Sequence, residues 1–157
     1  MIVVSIKSQQ LRFQSESHAP EIFAVSTGEN GVGSEAGSQK TPLGLHRISC
    51  MIGKGLPNKA VFRGRRWTGE VFSSELGYLY PKRDWILSRL LWLDGVEPGR
   101  NRGGKVDTQR RYIYIHGTDE EEQLGLPCSH GCVRMGNNDV IRLFQLVRLG
   151  DLVSIEP

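Results

Sequence analysis

The sequence predicts a mainly β protein, and three observations lead there. Its 157 residues include 19 glycines and 7 prolines, a density of turn formers that favours short strands over a helical bundle. Ile2, Val4 and Ile6 alternate with Val3, Ser5 and Lys7, the period-two pattern of a half-buried strand. Further strand-length runs follow, each closed by turn residues. The length suits one domain, residues 1–157, with a core large enough to stand without covalent staples.

Taken in order, Leu11–Phe13 reads as the hairpin partner of the first strand, and Glu21–Ser26 as a third strand closed by Thr27-Gly28. Residues 28–40, rich in Gly, Ser and Asn, read as a loop. Gly31-Val32-Gly33 within it is too short for a phosphate cradle. Thr41-Pro42-Leu43-Gly44 is a turn leading into a strand at Leu45–Ser49. From Asp84 to Leu93 the spacing of Trp85, Leu87 or Leu90, and Leu91 predicts a short amphipathic helix. Trp67, Phe72, Tyr78, Tyr80, Trp85 and Trp92 alternate with arginines and are expected to pack the core; the competing reading makes some of them walls of a cleft. Residues 94–110 read as an exposed loop.

Arg111–Ile115 is the strongest strand signal and ends at His116-Gly117-Thr118. Asn137 or Asn138 is expected to cap a helix carrying Asp139 in its first turn and Val140, Ile141, Phe144 and Val147 at helical spacing. Gly150 is expected to stop that helix before a last strand, Leu152–Ile155.

Hydrophobic residues at 38% and charged residues at 24% exclude a disordered chain. No run approaches the roughly 18 apolar residues of a membrane span, so no membrane insertion is expected. The first residues carry neither the basic start nor the apolar run of a secretory signal, so a cytoplasmic location is expected, or a periplasmic one if a leader has been removed. Three cysteines, Cys50, Cys128 and Cys132, suit a reducing compartment. Net charge is +3, yet residues 46–111 hold 14 Lys/Arg against 6 Asp/Glu. That basic middle points to an anionic partner. With no nucleic-acid motif and no basic helix, the expected ligand is a small polycarboxylate rather than nucleic acid.

Chemistry concentrates in Ser129-His130-Gly131-Cys132-Val133-Arg134. A thiol on a glycine-containing turn can act as a nucleophile when an imidazole takes its proton. His116, at a strand end, could reach Cys132 across the sheet edge. The N–H groups of Gly131 and Cys132 could face a developing oxyanion. Two other readings compete. His116, Cys128, His130 and Cys132 could be zinc ligands, but Cys-x-His-x-Cys crowds three donors into five residues, against the usual spacing. A buried structural cysteine and core histidine explain neither the His-Gly after the strand nor the histidine beside the thiol.

These residues resemble the signature of the YkuD-type L,D-transpeptidase catalytic domain, in which His-Gly precedes Ser/Thr-x-Gly-Cys-hydrophobic-Arg/Asn. Ala24-Val25-Ser26-Thr27-Gly28 and Thr41-Pro42-Leu43-Gly44 resemble two further blocks of that family, as does Gly150-Asp151-Leu152-Val153. The resemblance implies a β-sandwich or barrel with a few short helices, one of them after the cysteine loop. It implies cleavage of the L-to-D peptide bond after the third residue of a peptidoglycan tetrapeptide stem, with release of D-alanine. Cys132 would be the nucleophile and His116 the base, its ring oriented by a carbonyl near Gly117. Gly131, His130 and Ser129 would shape the site, and Arg134 would hold a stem carboxylate or brace the loop. No metal or organic cofactor is implied.

The acceptor is expected to be water, making an L,D-carboxypeptidase of soluble muropeptides recovered from wall turnover. The alternatives are an exported transpeptidase forming cross-links or exchanging D-amino acids, and a silent peptidoglycan-binding module. Arg65, Arg66 and Arg83 are expected to face the anionic stem. Cys128 is expected to be passive, the other reading being a redox disulfide with Cys132.

Overall fold

The computed structural model describes all 157 residues. The strands are β1 (Ile2–Ser5), β2 (Gln10–Phe13), β3 (Glu21–Ser26), β4 (Gly44–Ile52), β5 (Ala60–Arg63), β6 (Arg66–Val71), β7 (Ile86–Gly95), β8 (Tyr114–Gly117), β9 (Val133–Met135) and β10 (Leu152–Glu156). Two α-helices, α1 (Ser74–Leu79) and α2 (Asn137–Leu146), complete the regular structure. The strands join in the order β4-β10-β1-β2-β3-β9-β8-β7, and β7 returns to β4, closing a barrel. The β5–β6 hairpin continues along the same edge of β7. Closure gives each barrel strand a neighbour on both sides, which limits the edge open to another chain.

Alternation builds the first wall: Ile2 and Val4 point inward on β1, Leu11 and Phe13 on β2, Val153 and Ile155 on β10. These side chains join Leu91, Leu93, Ile115, Val133 and Met135 in one core. From α2, Val140 and Leu143 enter the same core. That helix lies against β7 and β8, so it covers a face of the sheet at the centre of the site.

The covering explains the clearest correction. Residues 84–93 form no helix; Ile86–Gly95 is β7, the longest strand, with nearly every residue buried. A strand covered on both faces loses its polar alternation and reads as a continuous apolar run. Of the aromatics, Trp85 is core, Phe72 and Trp92 are partly buried, and Trp67, Tyr78 and Tyr80 are exposed. Residues 94–110 are not wholly a surface loop. Asn101 and Thr108 are fully buried, where Asn101 Nδ2 donates to Leu43 O and Leu45 O and Thr108 pairs with His46 Nε2 at 3.1 Å.

The strand expected at 111–115 begins three residues later and includes His116 and Gly117. Tyr112 sits at φ 56°, and Arg111 N donates back to Asp107 O, so the chain turns there rather than extending. Helix α2 is preceded by Gly136 with no side-chain cap. Asn137 is instead buried inside its first turn, donating through Nδ2 to Thr118 O at 2.8 Å and accepting from Ser88 Oγ at 2.6 Å. The helix ends at Leu146, four residues before Gly150, which serves the turn into β10.

Candidate active site

Strands β8 and β9 run parallel, with His116 opposite Arg134. Cys132 immediately precedes β9, so the turn before that strand and the end of β8 share one cavity of about 300 Å³. Cys132, His116, Arg134 and Tyr114 line it, with Arg65 and Arg111 at its wall.

The cysteine turn is stitched to distant segments. Ser129 Oγ donates to Cys132 O at 2.6 Å and accepts from Gly131 N at 3.1 Å. Cys128 N and Ser129 N both donate to Thr27 O, at 3.0 and 2.9 Å. Thr41 Oγ1 accepts from Gly28 N at 2.8 Å and donates to Gly131 O at 2.9 Å, joining three separated sequence blocks through one buried hydroxyl. Gly131 has φ +119°, and a Cβ there would meet Lys40 O at 3.1 Å, so both conformation and space demand glycine.

Thr41→Val removes the hydroxyl and leaves a buried donor and acceptor unpaired. It is expected to lower unfolding stability by about 2–3 kcal/mol in a urea titration and to loosen the Cys132 turn. Thr41→Ser, which keeps the hydroxyl, is expected to stay within about 1 kcal/mol of the parent. Equal losses in the two variants would contradict this role.

Tyr114 N donates to Cys132 Sγ at 3.3 Å, and the thiol donates to Tyr112 O at 3.4 Å. Burial pushes the thiol up, to about 12, against the pull of the Tyr114 N–H and the Arg134 and Arg111 charges. His116 is 1% exposed, and burial holds its imidazole below the ordinary range. Its Nδ1 lies 2.7 Å from Gly117 O. A carbonyl can only accept, so Nδ1 carries the proton and Nε2 keeps its lone pair. Nε2 has no partner in the protein and is not sealed off, so it opens on the cavity that Cys132 shares. Burial thus favours the neutral form of both the thiol and the imidazole, with the Nε2 lone pair open to the shared cavity.

Each residue expected at the site has a defined place. Gly117 is essential by close approach: a Cβ would lie 2.5 Å from Asn137 Oδ1 and 2.6 Å from Leu87 O. The Gly131 N–H is already given to Ser129 Oγ, so of the two N–H groups expected to face an oxyanion only that of Cys132 has no partner. His130 lines the cavity beside Cys132. Arg134 both lines and braces, reaching Asp84 and Glu120 at 3.4 Å and Cys128 O at 3.3 Å. Arg65 is at the wall, its guanidinium 4.8 Å from the Tyr112 ring centre and 5.0 Å from that of Trp92. Arg83 is not at the cavity: it pairs with Glu70 at 2.9 Å and stacks over Trp85. Arg66 is exposed on β6 and also lies outside the lining. The four residues weighed as zinc ligands are not gathered into a metal-holding group.

The sequence reading missed Arg111, Tyr114 and Asp84. Tyr114 carried a signal, since it shares a strand face with His116 two residues on. Arg111 donates to Lys40 O at 2.6 Å and Gly33 O at 3.2 Å, contacts across more than seventy residues that no local pattern reveals.

Comparison with known proteins settles the kinship. The sequence profile of YkuD, the L,D-transpeptidase catalytic domain, matches residues 1–155. The chain belongs to the L,D-transpeptidase family. YqjB of Bacillus subtilis, named by inference as an L,D-transpeptidase, is 46% identical over 48 residues, covering 31% of this chain and 27% of YqjB. Among solved structures, an L,D-transpeptidase from Mycobacterium smegmatis superposes with a TM-score of 0.58 at 13% identity, covering 99% of this chain and 58% of that one. L,D-transpeptidase 3 from Mycobacterium tuberculosis, solved with a faropenem-derived adduct, gives 0.58 at 16% identity, with 99% and 59% covered. The L,D-transpeptidase fold is thus common to all three, while this chain spans little more than half of each solved relative.

Proposed function

We propose that this L,D-transpeptidase-family enzyme cleaves the L-to-D bond of a peptidoglycan tetrapeptide stem through an acyl-enzyme on Cys132, with water as acceptor. The observation that carries the reading is the placement of Cys132 Sγ and His116 in one cavity whose wall holds two arginines, Arg65 and Arg111, without carboxylate partners. A polycarboxylate stem supplies the missing charge.

Sγ attacks the carbonyl carbon while its proton passes to His116 Nε2, and the carbonyl oxygen takes the Cys132 N–H. The C–N bond then breaks, and D-alanine leaves with the proton from His116. Water next gives a proton to His116, attacks the thioester and returns the thiol. A cavity of about 300 Å³ has the volume of roughly ten waters, enough for the end of one stem. Water as acceptor suits a soluble muropeptide met in the cytoplasm, and this reading takes that as the substrate.

One feature favours a second reading, transfer to an amine. A further cavity of about 230 Å³ shares Arg111 and His130 with the first, a place where a second stem could approach. Mass spectrometry of a tetrapeptide stem incubated with enzyme and free D-methionine separates the two, with Cys132→Ala as control. Tripeptide and free D-alanine are expected. D-Methionine incorporation or stem dimers would overturn water in favour of transfer, and no release of D-alanine would overturn both.

A further inference from the structure

A second cavity, sharing no residue with the active site, lies between α2 and the turn that follows β4. Its volume is about 510 Å³, within the usual range of small-molecule sites. Met51, Ile141 and Phe144 give it apolar walls, and Lys54, Arg89 and Gln145 give it polar ones.

Arg89 is the unusual member. It is only 8% exposed, yet no carboxylate lies within ion-pair distance. Its one hydrogen bond runs from Nη1 to Ser88 O at 2.6 Å, and its guanidinium lies 5.6 Å from the Phe144 ring centre. Arg134, buried to the same 8%, reaches two carboxylates, Asp84 and Glu120. A cation taken out of water without a counter-charge is costly. Nε and Nη2 of Arg89 have no protein partner, and no side-chain polar atom of the chain is both sealed and unpaired, so these N–H groups open on the cavity. The arginine is also held in place from behind. Gly53, at φ +111°, would bring a Cβ within 3.1 Å of Arg89 Cδ, so the glycine makes room for the arginine stem. Exposed Lys54 follows directly and adds a second cation to the same rim.

We propose that this cavity binds a small carboxylate with an apolar body, its head on Arg89 and Lys54 and its tail against Met51, Ile141 and Phe144. A charge-assisted pair at the buried end supplies the missing counter-charge, and the apolar walls supply the area a hydrated inorganic anion cannot use.

Isothermal titration calorimetry on the whole chain tests this with octanoate, octan-1-ol and acetate as probes. Octanoate is expected to bind at least about tenfold tighter than either of the others, since each lacks one half of the recognition. Arg89→Met is expected to weaken octanoate at least about tenfold, and the surface change Lys54→Gln severalfold, with thermal melting of each variant as the check on folding. If Arg89→Met does not fold, Lys54→Gln alone decides. Equal affinity for octanol and octanoate, undetectable octanoate binding, or octanoate affinity untouched by Lys54→Gln would overturn the proposal.

Discussion

Cys132→Ser is expected to lower D-alanine release at least about a thousandfold, although the serine hydroxyl can keep the contacts of the thiol with Tyr112 O and Tyr114 N. The loss belongs to the chemistry, because an alkoxide is far harder to form than a thiolate at the same site. His116→Gln is expected to lower kcat with little change in KM, since the proposed base role sets the imidazole at the reacting atoms and not at the stem carboxylates. The pH behaviour follows from the two directions of shift. Burial pushes the thiol up, so the neutral thiol predominates at pH 7 and the proposed attack passes its proton to His116. Alkylation of Cys132 by iodoacetamide is therefore expected to rise steadily with pH through 9. A plateau below pH 8 would reveal a preformed thiolate and contradict the neutral pair. The lowered His116 value has the matching consequence: the base stays unprotonated as pH falls through 6.5 and is lost only below that.

Gly117→Ala is the substitution with the largest expected structural cost. The new Cβ would meet Leu87 O and Asn137 Oδ1, and the asparagine cannot step aside. Its amide is already fixed by Ser88 Oγ, Thr118 O and Glu121 Oε1. A clash against backbone and a locked side chain is expected to cost about 3 kcal/mol, a fall of roughly 10 °C in Tm. Gly117 O also holds the His116 ring, so kcat is expected to fall beyond the loss of folded protein. Calorimetry beside activity at a temperature where the variant is folded separates the two effects. An unchanged Tm would contradict the packing argument.

How far the sequence foretold this molecule depends on where each element sits. β1, β2, β3 and β10 were legible because each keeps clear alternation or a strand-length apolar run ended by turn residues. β7 read as a helix because both its faces are covered, which erases alternation and leaves leucines at spacings that fit either form. β9, at three residues, is too short to carry a period of its own. Asn137 matched the residue preference of a cap yet serves as a buried strut, because its side chain answers to Ser88 and Thr118 rather than to its own helix.

At the site, Cys132 and His116 were legible as a local motif and the end of a strand. Their supports were not. Thr41 holds Gly131 across ninety residues and Arg111 reaches Lys40 across seventy-one, distances over which no window of sequence carries a signal. The basic excess of the middle segment raised the expectation of an anionic partner faced by Arg65, Arg66 and Arg83. Of these three only Arg65 lines the cavity, whereas Arg83 is spent on Glu70.

The central claim is a covalent intermediate on Cys132. Rapid-quench mass spectrometry of the enzyme mixed with excess tetrapeptide stem, followed by digestion, tests it most directly. A mass gain equal to the tripeptide acyl group on the peptide containing Cys132, appearing and decaying as D-alanine accumulates, is the result expected. D-Alanine release with no adduct, or an adduct on Ser129 in place of Cys132, would contradict it.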